Sequence, residues 1–441
     1  MTPARRDNAR LNALDLLGSV LDQGLSLADA GNVAEDNTRG ADPRDRAFSR
    51  HLAYSVLRWL SALEWLSGQL LKRPLKPRDR DVHRLILLGL QQLWQDDTGA
   101  HAAIHESAEC ARMLGKPWAV AVINAVLRRF QREQDDWLAR LALQDARHAH
   151  PPWLLEVLRR DWPHDWEAIV EANNQAAPLW LRLRRDRDTS GVRAELKLKG
   201  FAFEPHPFAP DALRIRPAVA VDALPGFEAG LVSVQDPAAQ LAVDLLDLAP
   251  GQRVLDACSA PGGKTGHILE TAPDVALTAL DRSPERLELV GQNLERLGLW
   301  AHAGLSLHTA DAAQPETWWD GTAYQRILLD APCTASGVIR RHPEIKWLRT
   351  PQQLAAAVAT QARLLERLWP VLERGGILLY ATCSVLRDEN NRQIERFLAN
   401  QPDAALSPFD ADWGRAVDPG RQILPGQHDM DGFYYARLRK V

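Results

Sequence analysis

The sequence predicts an α/β protein whose C-terminal part is a doubly wound sheet, preceded by an all-helical region and a small α+β module. Three observations predict this. From about residue 231 onward, short Val/Ile/Leu-rich runs alternate with helical stretches, the pattern of strands separated by crossover helices. Up to about residue 145, apolar residues recur at helical spacing with no strand pattern between them. The stretch between opens on Pro151-Pro152 and then mixes both patterns.

In the helical region, Thr2-Pro3 and Asp42-Pro43 each place a capping residue before a first-turn proline. Leu11, Leu14, Leu17 and Leu21 share one face; Phe48, Leu52, Val56, Trp59 and Leu63 share another. Ile104, Ala108 and Ala111 form a third stripe, and Val120, Ile123, Leu127 and Phe130 a fourth. These are amphipathic bundle helices. Between them, Lys72-Arg73-Pro74-Leu75-Lys76-Pro77-Arg78-Asp79-Arg80, with Arg84 beyond, reads either as a solvated loop or as a phosphate-contacting patch. Arg128, Arg129 and Arg132 form a second basic candidate.

In the middle region, Leu179 to Arg184 alternates like a half-exposed strand, a helix is expected over Val192 to Lys199, and a strand around Leu213 to Ile215. Arg182, Arg184, Arg185, Arg187, Arg193, Lys197 and Lys199 make it locally basic, either as an RNA-binding module or as a plain linker. Beyond 231, strands are expected at Arg253–Asp256, Val275–Leu280, Leu305–His308, Ile327–Asp330, Ile377–Ala381 and Phe433–Leu438, with helices from Pro284 to about Leu297 and from Gln352 to Leu372.

A hydrophobic content of 46% in 441 residues allows sizeable cores, and a net charge of -4 means that any nucleic-acid surface must be local. The four cysteines, Cys110, Cys258, Cys333 and Cys383, lack metal-type spacing. That predicts neither a disulfide framework nor a metal site and fits a reducing cytoplasm. No signal core follows the N-terminus and no apolar run approaches ~20 residues, so no membrane association is expected. Nothing suggests a coiled coil or a symmetric interface, and a monomer is expected. Most of the 15 tryptophans sit at helical spacing and read as core.

The chemistry is concentrated at strand ends. Cys333 follows Ile327-Leu328-Leu329-Asp330-Ala331-Pro332, and Cys383 follows Ile377-Leu378-Leu379-Tyr380-Ala381-Thr382. Open α/β sheets place their sites at the carboxyl ends of strands. Either thiol alone would read as a small buried hydrophobe; the pair beside Asp330 points to covalent catalysis. The loop Asp256-Ala257-Cys258-Ser259-Ala260-Pro261-Gly262-Gly263-Lys264-Thr265 opens onto a helix N-terminus but is not Gly-x-Gly-x-x-Gly, so a dinucleotide is not indicated. Asp281 suits ribose hydroxyls and Asp311 an adenine edge. Four strand-end aspartates in one crevice would repel an anionic dinucleotide and attract the sulfonium of S-adenosylmethionine.

The segments 256–265, Asp330-Ala331-Pro332-Cys333-Thr334-Ala335-Ser336-Gly337 and Tyr380-Ala381-Thr382-Cys383-Ser384 are similar to the motifs of RNA 5-methylcytosine methyltransferases. Val338 to Trp347 resembles the bacterial 16S rRNA branch of that family, and the helical N-terminal region is similar to the antitermination factor NusB. Ser259 and Ala335-Ser336 depart from the usual residues without removing a reacting group.

The resemblance implies a NusB-like RNA-binding domain over 1–145, a small α+β linker or RNA-binding module over 146–230, and a Rossmann-like S-adenosylmethionine-dependent methyltransferase domain over 231–441. It implies Cys383 as the nucleophile on cytosine carbon 6, Cys333 as the group assisting release, and Asp330 on the base edge. It implies Cys258, Ser259, Ala260, Pro261, Gly262, Gly263, Lys264, Asp281, Arg286, Asp311 and Asp330 around S-adenosylmethionine. It implies 16S rRNA, naked or in an early subunit particle, as the partner. The mixed segment Arg340, Arg341, His342, Lys346, Trp347 then reads either as a face for single-stranded or loop RNA or as an ordinary lid loop. Two other readings are a DNA cytosine methyltransferase attacking through Cys333, and a non-catalytic RNA-binding factor on a dead methyltransferase fold.

Overall fold

The computed structural model describes residues 8–37, 42–96 and 99–441, with only the backbone of 34–37, so Thr2-Pro3 lies outside the described residues. The chain divides into two compact units, one of residues 1–175 with 339–350, the other of 176–338 with 351–441.

The first unit is helical. Its longest helix, Pro43–Leu70, starts where Asp42 accepts a hydrogen bond from the Arg44 amide at 2.8 Å, and it kinks at Trp59, where φ is −112° and ψ 16°. The predicted stripes do pack the core: Leu11, Leu14, Leu17, Leu52, Val56, Leu63, Ile104, Ala108, Ile123, Leu127 and Phe130 are all buried in one cluster. The compact unit extends past the NusB-like helices. Helices Pro152–Asp161 and Trp166–Asn173 belong to it, because Arg58 donates to the Gln175 carbonyl at 2.8 Å and Asn174 to the His148 carbonyl at 2.9 Å.

Residues 339–350 also belong to this unit, which corrects the reading that they face RNA. Lys346 is fully buried and donates to the carbonyls of Arg58 (2.8 Å) and Ala149 (3.0 Å) and to Asn174 Oδ1 (2.6 Å). Burial, reinforced by Arg58, pushes its pKa well below the ordinary lysine value. Arg340 is buried, and Trp347 donates its indole N–H to the Leu57 carbonyl at 2.7 Å. His342 alone of the charged members remains exposed. The mixture of charge and aromatic residues is an internal anchor.

The second unit holds two sheets. The smaller is antiparallel, in the order β2-β3-β1-β4, with β1 Leu179–Leu183, β2 Ala202–Pro205, β3 Ala212–Arg216 and β4 Val232–Val234; the helix Ser190–Leu198 joins β1 to β2. The larger has nine strands. Its body is β7-β6-β5-β8-β9-β13, from β5 Arg253–Asp256, β6 Ala276–Asp281, β7 Leu305–Thr309, β8 Tyr324–Asp330, β9 Leu372–Thr382 and β13 Phe433–Lys440. β5 to β9 pair in parallel, whereas β13 runs antiparallel beside β9. The short strands β10 Ala404–Leu406, β11 Arg415–Ala416 and β12 Arg421–Ile423 extend the β13 side. Strand order reverses between β5 and β8, the switch point where open sheets bind ligands. Among the described residues, no helix is long and apolar enough to cross a membrane.

β1 is not half-exposed as its alternation suggested. Arg182 is buried and bridged to buried Glu270 at 2.6 Å, and Arg184 is buried against Asp186 at 2.5 Å. Arg185 pairs with Asp211 and with Asp244. Three of the seven cations thought to make this module an RNA surface therefore hold the unit together; Arg187, Arg193, Lys197 and Lys199 remain exposed.

Candidate active site

The site is built at the carboxyl ends of β5, β6, β8 and β9. β5 delivers the loop 257–262, and Gly262 turns it into the helix Gly263–Thr271 with φ +93°. A Cβ at Gly262 would stand 3.1 Å from the Val290 backbone, so only glycine satisfies both the dihedral and the close approach. The Ser259 amide donates to the Leu280 carbonyl at 2.8 Å, fastening the loop to β6. Beneath the loop, Asp256 accepts from Thr265 Oγ1 at 2.7 Å. Burial, opposed by that hydrogen bond and aided by Asp330, pushes its carboxyl up to about 7.

Asp281, at the end of β6, accepts from the amides of Ser283 (3.1 Å) and Ala260 (3.3 Å), with Arg286 3.6 Å away. Asp311, just past β7, accepts from the Ala313 amide at 2.9 Å and lies 3.6 Å from Arg363. Asp281, Asp311 and Asp330 line one cleft of about 300 Å³, together with Cys258, Ala260, Arg286, Cys333 and Cys383. Asp256 does not line it, so the expected ring of four carboxylates is three with a buried fourth.

The two thiols meet. Cys333 Sγ and Cys383 Sγ are 3.5 Å apart. The hydrogen bond to Cys383, and then burial, push the Cys333 thiol well above its ordinary range, so Cys333 holds its proton. Lys264 donates to Asp330 at 2.6 Å. Burial works against its charge, but Asp330 outweighs it, with Cys383 adding to the effect, and the lysine pKa is raised. Lys264 is thus a charged pillar of the site rather than a surface residue. Its ammonium also lies 5.3 Å over the Phe433 ring.

A buried network that the sequence did not disclose aligns the two cysteine loops. Glu389 accepts from the Thr334 amide (2.8 Å), Thr334 Oγ1 (2.5 Å), Ser384 Oγ (2.5 Å) and Gln361 Nε2 (3.1 Å). Thr334 and Ser384 each follow one of the cysteines directly. Gln361 also donates to the Pro332 carbonyl at 3.0 Å. The Gly337 amide donates to the Cys383 carbonyl at 2.9 Å, and a Cβ on Gly337 would stand 2.1 Å from the Gly432 carbonyl oxygen. Gln361 interrupts the buried face Leu354, Leu364, Leu365, Leu368 of the helix Pro351–Leu368; a polar residue on an apolar stripe was the available signal.

Of the cofactor residues expected from sequence, Cys258, Ala260, Asp281, Arg286, Asp311 and Asp330 line the cleft; Ser259, Pro261, Gly262, Gly263 and Lys264, in the loop and its helix, do not. Arg282, Thr360, Arg363 and Leu364 also line it and were not anticipated. Burial pushes the Cys258 thiol far up, which leaves it inert. The fit to S-adenosylmethionine is good. The expected excess of negative charge is offset by Arg286, Arg363 and Lys264, but Asp281 and Asp311 still present acceptor oxygens to ribose hydroxyls and an amine, and Ser259 Oγ is buried with no partner among the described residues. Among the described residues no cluster of three or more metal-ligating side chains occurs.

Comparison with known proteins agrees. A family model described as 16S rRNA methyltransferase RsmB/F matches residues 243–439, a NusB family model matches 7–132, and a ferredoxin-like domain model of RsmF/B-like methyltransferases matches 150–222. A ribosomal RNA small subunit methyltransferase B from Salmonella arizonae is 44% identical over 440 residues, covering 99% of both chains. The protein of that name from Vibrio cholerae is 46% identical over 435 residues, covering 98% of both. A methyltransferase homologue from Pyrococcus horikoshii, 28% identical, superimposes with a TM-score of 0.56 over 66% of this chain and 100% of its own. With relatives this similar along its whole length, the chain belongs to the RsmB/F family of S-adenosylmethionine-dependent 16S rRNA methyltransferases.

Proposed function

We propose that this protein methylates carbon 5 of a cytosine in 16S rRNA through a covalent adduct to Cys383. The observation that carries the proposal is the pair of sulfurs 3.5 Å apart beside the Asp330–Lys264 ion pair at one sheet edge. Carbon 5 of cytosine is a weak nucleophile. Adding a thiolate to carbon 6 pushes an electron pair toward carbon 5 and the ring. Cys383 is the attacking group: Cys333, 3.5 Å away, keeps its own proton, and the Lys264–Asp330 ion pair stands at the same strand ends. Asp330 accepts from the exocyclic amine, and Lys264 offsets the negative charge that develops in the ring. Asp281, Asp311, Cys258 and Ala260 line the cleft that would hold S-adenosylmethionine, which would supply the methyl group and leave as the thioether.

Release requires the carbon 5 proton to leave, the carbon 5–carbon 6 double bond to re-form and Cys383 to depart as thiolate. Cys333 assists this step. Its own proton passes to solvent, and the thiolate so formed, a strong base because its thiol is held far above the ordinary range, takes the carbon 5 proton, so that Cys333 ends as the thiol it began as. The target base has to leave its stack to reach both sulfurs. The test is 16S rRNA transcribed with cytidine tritiated at carbon 5. The full chain with S-adenosylmethionine should release tritium to water in step with methyl incorporation. Methyl incorporation without tritium release would place the methyl on another atom and overturn the proposal.

A further inference from the structure

The helical unit carries a cleft of its own, about 950 Å³. Its floor is apolar: Leu70, Leu71 and Leu75 from the end of the long helix and the loop after it, and Val122 and Val126 from the helix Ala119–Arg132. Trp118 lines it while 50% exposed, an unusual position for an indole in a unit whose other apolar side chains are largely covered. Lys72, Arg73, Lys76 and Arg78 form the rim. Asp79 is the one acidic lining residue, and Lys116 neutralises it at 3.0 Å.

The cations of this stretch are not equivalent. Arg80 and Arg84 are spent on Asp22, at 3.1 and 2.7 Å. Arg129 pairs with Glu133. Lys72, Arg73 and Lys76 are exposed and have no carboxylate within 4.0 Å among the described residues. Three unneutralised cations around an apolar floor with a presented indole match one class of occupant. Phosphates need the cations, and unstacked bases need an aromatic face and an apolar bed. A duplex would use the charges but not the indole.

We propose that this cleft binds a single-stranded segment of the RNA substrate, with Lys72, Arg73 and Lys76 on successive phosphates and Trp118 stacked on a base. The inference rests on the rRNA reading and identifies where in the helical unit the RNA is held.

The probe is a short labelled oligouridylate, bound to the full-length protein over a salt series. The slope of log affinity against log salt should fall in magnitude by about 2 in the triple variant K72Q/R73Q/K76Q, from about 0.7 per lost phosphate contact. Trp118→Ala should weaken binding roughly tenfold and Trp118→Phe much less. With 16S rRNA transcript, the triple variant and Trp118→Ala should raise KM and leave kcat unchanged, which a misfolded site could not do. Unchanged slope and affinity in the triple variant would overturn the assignment. So would loss of binding to a labelled polyglutamate peptide with oligouridylate binding intact, which would make the cleft a protein-docking site. Wild-type protein that binds oligouridylate in this way but methylates no rRNA would sink the proposed function and leave the cleft assignment standing.

Discussion

Asp256 and Asp281 stand at neighbouring strand ends and do opposite work. Asp281 faces the cleft and is held by two backbone amides and Arg286. Asp281→Ala is expected to weaken S-adenosylmethionine binding by about 1–3 kcal/mol, the cost of stranding its partners, read by calorimetry on a variant whose melting is normal; unchanged binding would remove Asp281 from the cofactor site. Asp256 is buried beneath the loop, and its carboxyl is raised to about 7. The folded state therefore holds a proton that the unfolded chain releases near pH 4, so stability is present below that point and is lost as pH rises toward 7. Asp256→Asn cannot ionise. Its stability relative to wild type should climb across that window by up to about 4 kcal/mol, at 1.36 kcal/mol per pKa unit. Denaturant titrations at pH 5 and pH 8 giving the same difference would contradict the assignment. From the sequence, both aspartates looked alike as strand-end acids. Both are buried, but Asp281 lines the cleft and Asp256 does not, and that depends on which loop covers which residue, something spacing does not encode.

The loops after β8 and β9 carry the thiols, and Glu389 sets their register through Thr334 and Ser384. Its carboxyl is raised by burial, against the hydrogen bonds that Ser384 and Thr334 donate. Glu389→Gln keeps the shape but turns an amide toward two hydroxyls. It is expected to lower kcat about tenfold, roughly 1.4 kcal/mol at the transition state, while KM for rRNA and cofactor affinity stay put. A parallel rise in both KM values would mean general loosening instead. β1 offers the second lesson. Its type was legible from alternation, but its exposure was not, because Glu270, the partner of Arg182, lies 88 residues away. Removing one member of a buried pair strands the other. Glu270→Gln should cost about 3–5 kcal/mol by denaturant titration, and a loss under 1 kcal/mol would mean that solvent reaches Arg182. Glu389 was invisible for the same reason: nothing in Arg387-Asp388-Glu389-Asn390 distinguishes a buried acceptor from a surface turn.

Across the whole chain, the order of helical region, small α+β module and doubly wound sheet could be read from hydrophobic period alone, because each class repeats over many residues. The cysteine loops and the glycine loop could be read because strand ends gather chemistry wherever the sheet is parallel. What could not be read is how distant segments are shared. Residues 339–350 leave the Cys333 loop and fold with the helices, and Lys346 spends its charge-bearing group on neutral oxygens there. A local count of basic and aromatic residues assigns the same segment to RNA. The proposed division of labour between the two sulfurs can be read on one gel. Full-length Cys333→Ala and Cys383→Ala are incubated with 16S rRNA and S-adenosylmethionine and run under denaturing conditions. Cys333→Ala should form the adduct, transfer the methyl group and stall, migrating as a protein–RNA complex, while Cys383→Ala should form no complex and turn over nothing. A complex trapped by Cys383→Ala and absent from Cys333→Ala would reverse the roles, and full activity in both would end the case for covalent catalysis.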